Sequence, residues 1–135
     1  MIVPKHFENL KVLHENTMPL RSYYIPASHC TSGLMIDRER SDRFQLLSGM
    51  WHFRYYDSIY DLKDCFYEAD ASVDNYDKIP VPSVWQMYGY DQHQYTNIKY
   101  PFPFDPPYVP QQNPCGTYVR EFDYRVDPSA PKAFL

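Results

Sequence analysis

Carboxylates are the first candidates for chemistry in this chain, because hydrolysis of a glycosidic bond needs only two of them at the right separation. Asp57, Asp61, Asp64, Glu68, Asp70, Asp74 and Asp77 crowd one segment. That segment is polar, and nothing in it implies the apolar pocket that would raise one carboxyl's pKa above its partner's. His6, His14, His29, His52 and His93 show no metal-ligand spacing, and of these His93 alone lies within the aromatic stretch from Val81 to Cys115. Phosphate-binding glycine loops, H-E-x-x-H and G-x-S-x-G are all missing. No catalytic residue is assigned. On its local chemistry the chain binds or positions.

The stretch suited to binding runs from Val81 to Cys115. It carries Pro82, Pro101, Pro103, Pro106, Pro107, Pro110 and Pro114 among Trp85, Tyr88, Tyr90, Tyr95, Tyr100, Phe102, Phe104 and Tyr108. Each proline removes an N–H donor and locks φ, which excludes a long helix or a central strand. Proline also lowers the entropy lost on ordering, so such a path can be rigid without regular structure. Rigid loops carrying aromatics and amides are common binding sites; a packed crossover with no ligand is the alternative. The corner Asp105–Tyr108 predicts a cis Pro106–Pro107 bond.

The elements that must hold this stretch are β-strands. Trp51, Phe53 and Tyr55 alternate with His52, Arg54 and Tyr56, a period of two that predicts a half-buried strand over 50–56 after a turn at Ser48-Gly49. A second strand is predicted after Gly116, with Tyr118, Phe122, Tyr124 and Val126 on one side and Thr117, Glu121, Asp123 and Arg125 on the other. Arg120 interrupts the apolar side, so it is expected at a sheet edge or paired with a carboxylate. Ile59, Leu62 and Phe66 have helical spacing and predict a short turn packed on the sheet. Residues 1–43 show no sustained period, and Pro4, Pro19 and Pro26 interrupt them; they read as an extended arm anchored by Leu10, Val12 and Leu13. The run Asp37–Arg40 reads as a solvated segment. Two strands cannot close a sandwich, so Phe44, Trp51, Phe53, Phe122 and Tyr124 are expected to lack part of their opposing sheet, leaving the chain partly unfolded or associating.

The 135 residues suffice for one core. A net charge of −4 gives no attraction to nucleic acid or to an anionic membrane. Aromatics make up 18%, and the 14 tyrosines combine flat apolar faces with hydroxyls, which suits sugar rings or a tyrosine-rich core. The 3 cysteines are far apart, which fits a reducing cytosol and gives no zinc site. No signal peptide or membrane span is read, and a cytoplasmic location is expected.

Five motifs in unbroken order carry a resemblance: LLSGMWHF at Leu46–Phe53, VPSVWQMYGYD at Val81–Asp91, YTNIKYP at Tyr95–Pro101, DPPYVP at Asp105–Pro110 and NPCGTY at Asn113–Tyr118. They resemble the amino-terminal region of the large bacterial β-galactosidases of glycoside hydrolase family two, and FENL at Phe7–Leu10 resembles that family's arm. The resemblance implies an all-β fold, an incomplete jelly-roll sandwich over 44–135 preceded by the arm over 1–43. It implies an enzyme that releases terminal β-galactosyl residues with retention, as from lactose-type substrates. The catalytic glutamates and magnesium ligands would lie in a barrel outside this chain, and a sodium-contacting aspartate beyond Leu135. This chain would therefore bind no cofactor and be inactive alone, with the remaining domains and a homo-oligomer as its partners. Asn97 matches the family's asparagine that hydrogen-bonds galactosyl hydroxyls, and Ile98 a neighbouring apolar residue at the pocket wall. The sequence departs from the pattern in a shorter amino terminus and in Val84, where an asparagine is common. An asparagine offers the donor and the acceptor that a hydroxyl needs; it also caps turns. The other functional class is a free-standing carbohydrate-binding or complementing fragment without hydrolytic activity.

Overall fold

The computed structural model describes residues 4–95, 97 and 100–135. The fold is all-β: a three-stranded antiparallel sheet that does not close on itself. Strand β1 (Gly49–Tyr56) is central, flanked by β2 (Asp77–Val81) and β3 (Cys115–Val119). Four short 3-10 turns, Lys5–Glu8, Arg38–Arg40, Ile59–Asp61 and Trp85–Tyr88, are the only helical elements among the described residues.

Strand β1 forms where the alternation predicts it. Gly49 opens it at φ 132°, where an L side chain is strained and where a Cβ would also meet the Arg120 guanidinium. That guanidinium donates to the Ser48 carbonyl at 3.0 Å, so Arg120 secures the sheet edge. Register pairs Trp51 with Ile79 and Phe53 with Tyr118, while Arg54 faces Thr117. Directly paired residues share a face, so one face gathers Trp51, Phe53, Tyr55, Ile79 and Tyr118. The other gathers His52, Arg54, Tyr56 and Thr117.

Strand β2 is absent from the expectations drawn from sequence, in which the irregular stretch begins at Val81. It exists because it is an edge strand, where a proline's missing N–H can face away from the ladder. The predicted second strand forms only as far as Val119. Beyond it no sheet partner lies alongside residues 120–126 among the described residues. Phe122, Tyr124 and Val126 accordingly remain 49%, 51% and 69% exposed. An alternating pattern without a neighbour has no ladder to join. A single bridge, Asp127 with Ala130, follows.

No opposing sheet covers Phe53 among the described residues, yet it is wholly buried, so its ring is not left exposed as a missing sheet would leave it. Its cover comes from the proline-rich stretch and from β3. Tyr90 meets the ring edge-on at a centroid distance of 4.9 Å, Tyr118 lies at 4.8 Å and Trp85 at 6.0 Å. Burial of a phenylalanine contributes about 1.5–3 kcal/mol, and each aromatic pair about 0.5–1.5 more. Trp51 is half-buried, its indole N–H donating to the Leu47 carbonyl at 2.7 Å.

The arm meets the sheet region through polar contacts. Tyr60 donates to Glu8 at 3.4 Å, and Lys5 pairs with Glu8 at 3.5 Å and lies over the Tyr60 ring. Leu10 and Leu13, expected as anchors, are each 76% exposed, so Val12 alone of the three is half-buried. The turn at Ile59–Asp61 is one 3-10 turn, capped by the Ser58 hydroxyl, and it leads to the buried Leu62. Asp37–Arg40 is exposed, as the mixed charges imply.

Gly116 lies directly opposite Tyr55 in the register. A Cβ there would press on the edge of the Phe53 ring and come within 2.9 Å of Trp85 Cζ3. Gly116→Ala is therefore expected to destabilise the fold by about 1–3 kcal/mol through overpacking. A lowered urea midpoint with unchanged slope would show this; an unchanged midpoint would mean that the rings do not close over Gly116.

Candidate functional site

The proline-rich stretch is tied down at both ends, and this is what places its amides. At its start, Trp85–Tyr88 forms a 3-10 turn that Gly89 ends at φ 87°. Trp85 and Tyr90 from this turn pack on Phe53 and on Tyr55. The Tyr90 hydroxyl donates to Asp77 of β2 at 2.6 Å. At its end, the Ser58 hydroxyl donates to the Gln111 carbonyl at 2.7 Å and the Ile59 N–H to the Asn113 carbonyl at 2.8 Å. The Pro106–Pro107 bond is cis, as the Asp105–Tyr108 corner predicts, and Val81–Pro82 is cis as well.

Between these ties lies Asn97. It is exposed, and its Nδ2 donates to the Tyr95 hydroxyl at 2.7 Å. Tyr95 is 81% exposed and Tyr100 78%. Tyr100 leans toward Phe104 at a centroid distance of 6.0 Å. Ile98, the other residue singled out, lies outside the described residues. A depression of about 290 Å³ opens in the same stretch, with Gln94, Phe102, Tyr108, Gln112 and Asn113 in its lining. Aromatic faces and side-chain amides are thus gathered on one path. The sequence pointed to Asn97 through resemblance; its bond to Tyr95 had no signal beyond their spacing of two.

Two of the candidate carboxylates are engaged by the sheet. Asp64 accepts from the Tyr56 hydroxyl at 2.7 Å and pairs with Arg54 at 2.8 Å, on the second face of the sheet. Burial, then the bond to Asp64, pushes the Tyr56 hydroxyl far above its ordinary pKa. Asp77 is engaged by Tyr90. His6 bonds Glu15 and His29 bonds Ser28. Among the described residues no three His, Cys, Asp or Glu side chains converge on a point where a metal ion would sit. Cys30 and Cys65 are exposed and Cys115 half-buried, all three free thiols; burial raises the Cys115 pKa. No described helix is long and apolar enough to cross a membrane.

Comparison with known proteins bears on what such a sheet and loop belong to. Residues 44–131 match the sugar binding domain of glycosyl hydrolases family 2. The chain belongs to that family. It is 49% identical over 120 residues to a β-galactosidase of Actinobacillus pleuropneumoniae, covering 89% of this chain and 12% of the relative. It is 41% identical over 123 residues to a β-galactosidase of Staphylococcus xylosus, covering 90% of this chain and 12% of that protein. A Vibrio vulnificus β-galactosidase is 42% identical over 100 residues, 74% of this chain and 9% of the relative. The chain thus spans about an eighth of the length of the first two relatives it matches. The family-2 match contains β1, β2, β3 and the whole proline-rich stretch.

The tie between Tyr90 and Asp77 has a measurable pH signature. The bond to Asp77, then burial, then the charge of Asp77 raise the Tyr90 pKa to about 12. A raised folded pKa means that the folded state holds the proton more tightly than the unfolded chain, whose tyrosine pKa is about 10. The resulting stability is fully present below about pH 10 and is lost as pH rises toward about 12. Tyr90→Phe is expected to remove this part of the alkaline destabilisation. Urea unfolding at a series of pH values from 8 to about 12 checks it; identical profiles for both proteins would contradict it.

Proposed function

We propose that this chain is the sugar-binding part of a β-galactosidase, one that holds the galactosyl ring while domains outside it carry out the hydrolysis. The observation that supports this best is the run of identity with named β-galactosidases across nearly the whole chain. The match beginning at residue 44 supports a division into an arm over 1–43 and a sugar-binding unit from 44 onward. Asn97 is the residue assigned to the ring's hydroxyls, and Ile98 to the adjoining apolar wall. Asn97 is exposed on a loop tied to the sheet through Tyr90 and through the Ser58–Gln111 bond. Such fixed amides stabilise an oxocarbenium-like transition state only if they are already aimed at the ring.

In this reading the partners are a galactoside, the remaining domains of the same enzyme and further copies of it, in the cytoplasm. Any magnesium or sodium would be held mainly by those domains. Asp64 and Asp77, the carboxylates bonded to Tyr56 and Tyr90, both serve the sheet. The chain on its own is therefore expected to turn over no β-galactoside.

The test is a complete enzyme in which this chain replaces the matched segment of the Actinobacillus pleuropneumoniae relative. Asn97→Ala should leave its melting temperature within a degree or two, since an exposed loop amide contributes little to the core. It should lower kcat/KM for a β-galactoside by about ten- to a hundredfold, from about 1–3 kcal/mol of lost pairing in a closed site. A substrate lacking the contacted hydroxyl should be slow from the start and lose little more. Equal losses on both substrates would show that Asn97 shapes its own loop and does not touch the sugar.

A further inference from the structure

We infer that Tyr95 is a positioning residue for Asn97: its hydroxyl fixes which face of the amide is offered to a sugar hydroxyl. This deepens the galactose-binding reading of Asn97 and rests on it. An asparagine amide has two N–H donors on Nδ2 and two acceptor sites on Oδ1, and rotation by half a turn about its last bond exchanges them. A hydroxyl group that must both give and take a hydrogen bond is sensitive to that exchange. In the structure one Nδ2 proton is committed to the Tyr95 oxygen at 2.7 Å. The committed proton leaves Oδ1 and the second N–H facing away from the phenol.

Among the described residues Tyr95 makes one side-chain hydrogen bond, to Asn97. Its ring is 81% exposed and enters no aromatic pair among the described residues, unlike Tyr90, Tyr100 and Tyr118. A tyrosine is a costly way to fill solvent, and its one described polar contact is Asn97. The two residues are separated by a single position in the loop. Tyr95→Phe removes one oxygen and leaves the ring, so it separates the hydroxyl's role from any packing.

Two measurements test this. In the chain itself, amide NMR should show the Asn97 Nδ2 proton bonded to Tyr95 shifted from its position in a solvated asparagine and exchanging more slowly than its partner, with both differences lost in Tyr95→Phe. In the complete enzyme carrying this chain, Tyr95→Phe should lower kcat/KM about two- to tenfold, the range for one neutral hydrogen bond. In the Asn97→Ala background the same change should cost nothing further, because the group it orients is gone. Unchanged Asn97 signals in Tyr95→Phe would overturn the inference, as would equal losses with and without Asn97. Those outcomes leave the galactose-binding reading standing if Asn97→Ala is itself impaired. If Asn97→Ala is fully active, the reading falls and this inference with it.

Discussion

Burial of the Phe53 ring is the constraint on which the rest of this structure depends. Phe53 sits at the centre of the central strand and is the largest side chain fully removed from water. A three-stranded sheet cannot cover its own face. The cover here is an irregular segment, Trp85 and Tyr90, joined by Tyr118 from β3. Covering the ring therefore also immobilises the beginning of the proline-rich stretch, and the Ser58–Gln111 and Ile59–Asn113 bonds hold its other end. The loop that carries Asn97 is suspended between two points fixed by the sheet. Rigidity of this kind comes from anchoring and from proline's restricted φ, without regular hydrogen bonding inside the loop.

The two faces of the sheet solve different problems. The Phe53 face is aromatic and takes its stability from burial. The opposite face places Tyr56 and Thr117 in buried positions and satisfies their polarity locally: Tyr56 with Asp64, Asp64 with Arg54, and Thr117 with Tyr76. His52 Nδ1 on this face has no partner among the described residues, but most buried polar groups in folded proteins are paired. This explains why an acidic segment that invites a catalytic reading serves structure. Asp64 and Asp77 are the carboxylates closest to the sheet's work, and each is bonded to a tyrosine that the fold needs.

Much of this was legible in the sequence, and the exceptions are physical. The strand at Gly49–Tyr56 was readable because Trp51, Phe53 and Tyr55 share one face and alternate with His52 and Arg54. Strand β2 was hidden because Pro80 argues against a strand everywhere except at an edge, and edge position is a tertiary fact. The strand from Gly116 was overextended because residues 120–126 alternate as well as any strand does, yet pairing requires a neighbour. Leu10 and Leu13 looked like anchors by hydropathy, whereas the arm is held by Glu8 and Lys5 on Tyr60. Asn97 was visible only through its motif, since a lone loop asparagine is otherwise a turn former. The bond to Tyr95 could not be read at all, because a spacing of two says nothing about side-chain rotamers.

The central claim is that the proline-rich stretch, and not a second sheet, closes the Phe53 face. Proton–proton NOEs from the Phe53 ring in the 135-residue chain test it most directly. The account predicts cross-peaks to the rings of Trp85, Tyr90 and Tyr118, whose centroids lie 4.8 to 6.0 Å away. Cross-peaks to Tyr118 alone, with none to Trp85 or Tyr90, would contradict it.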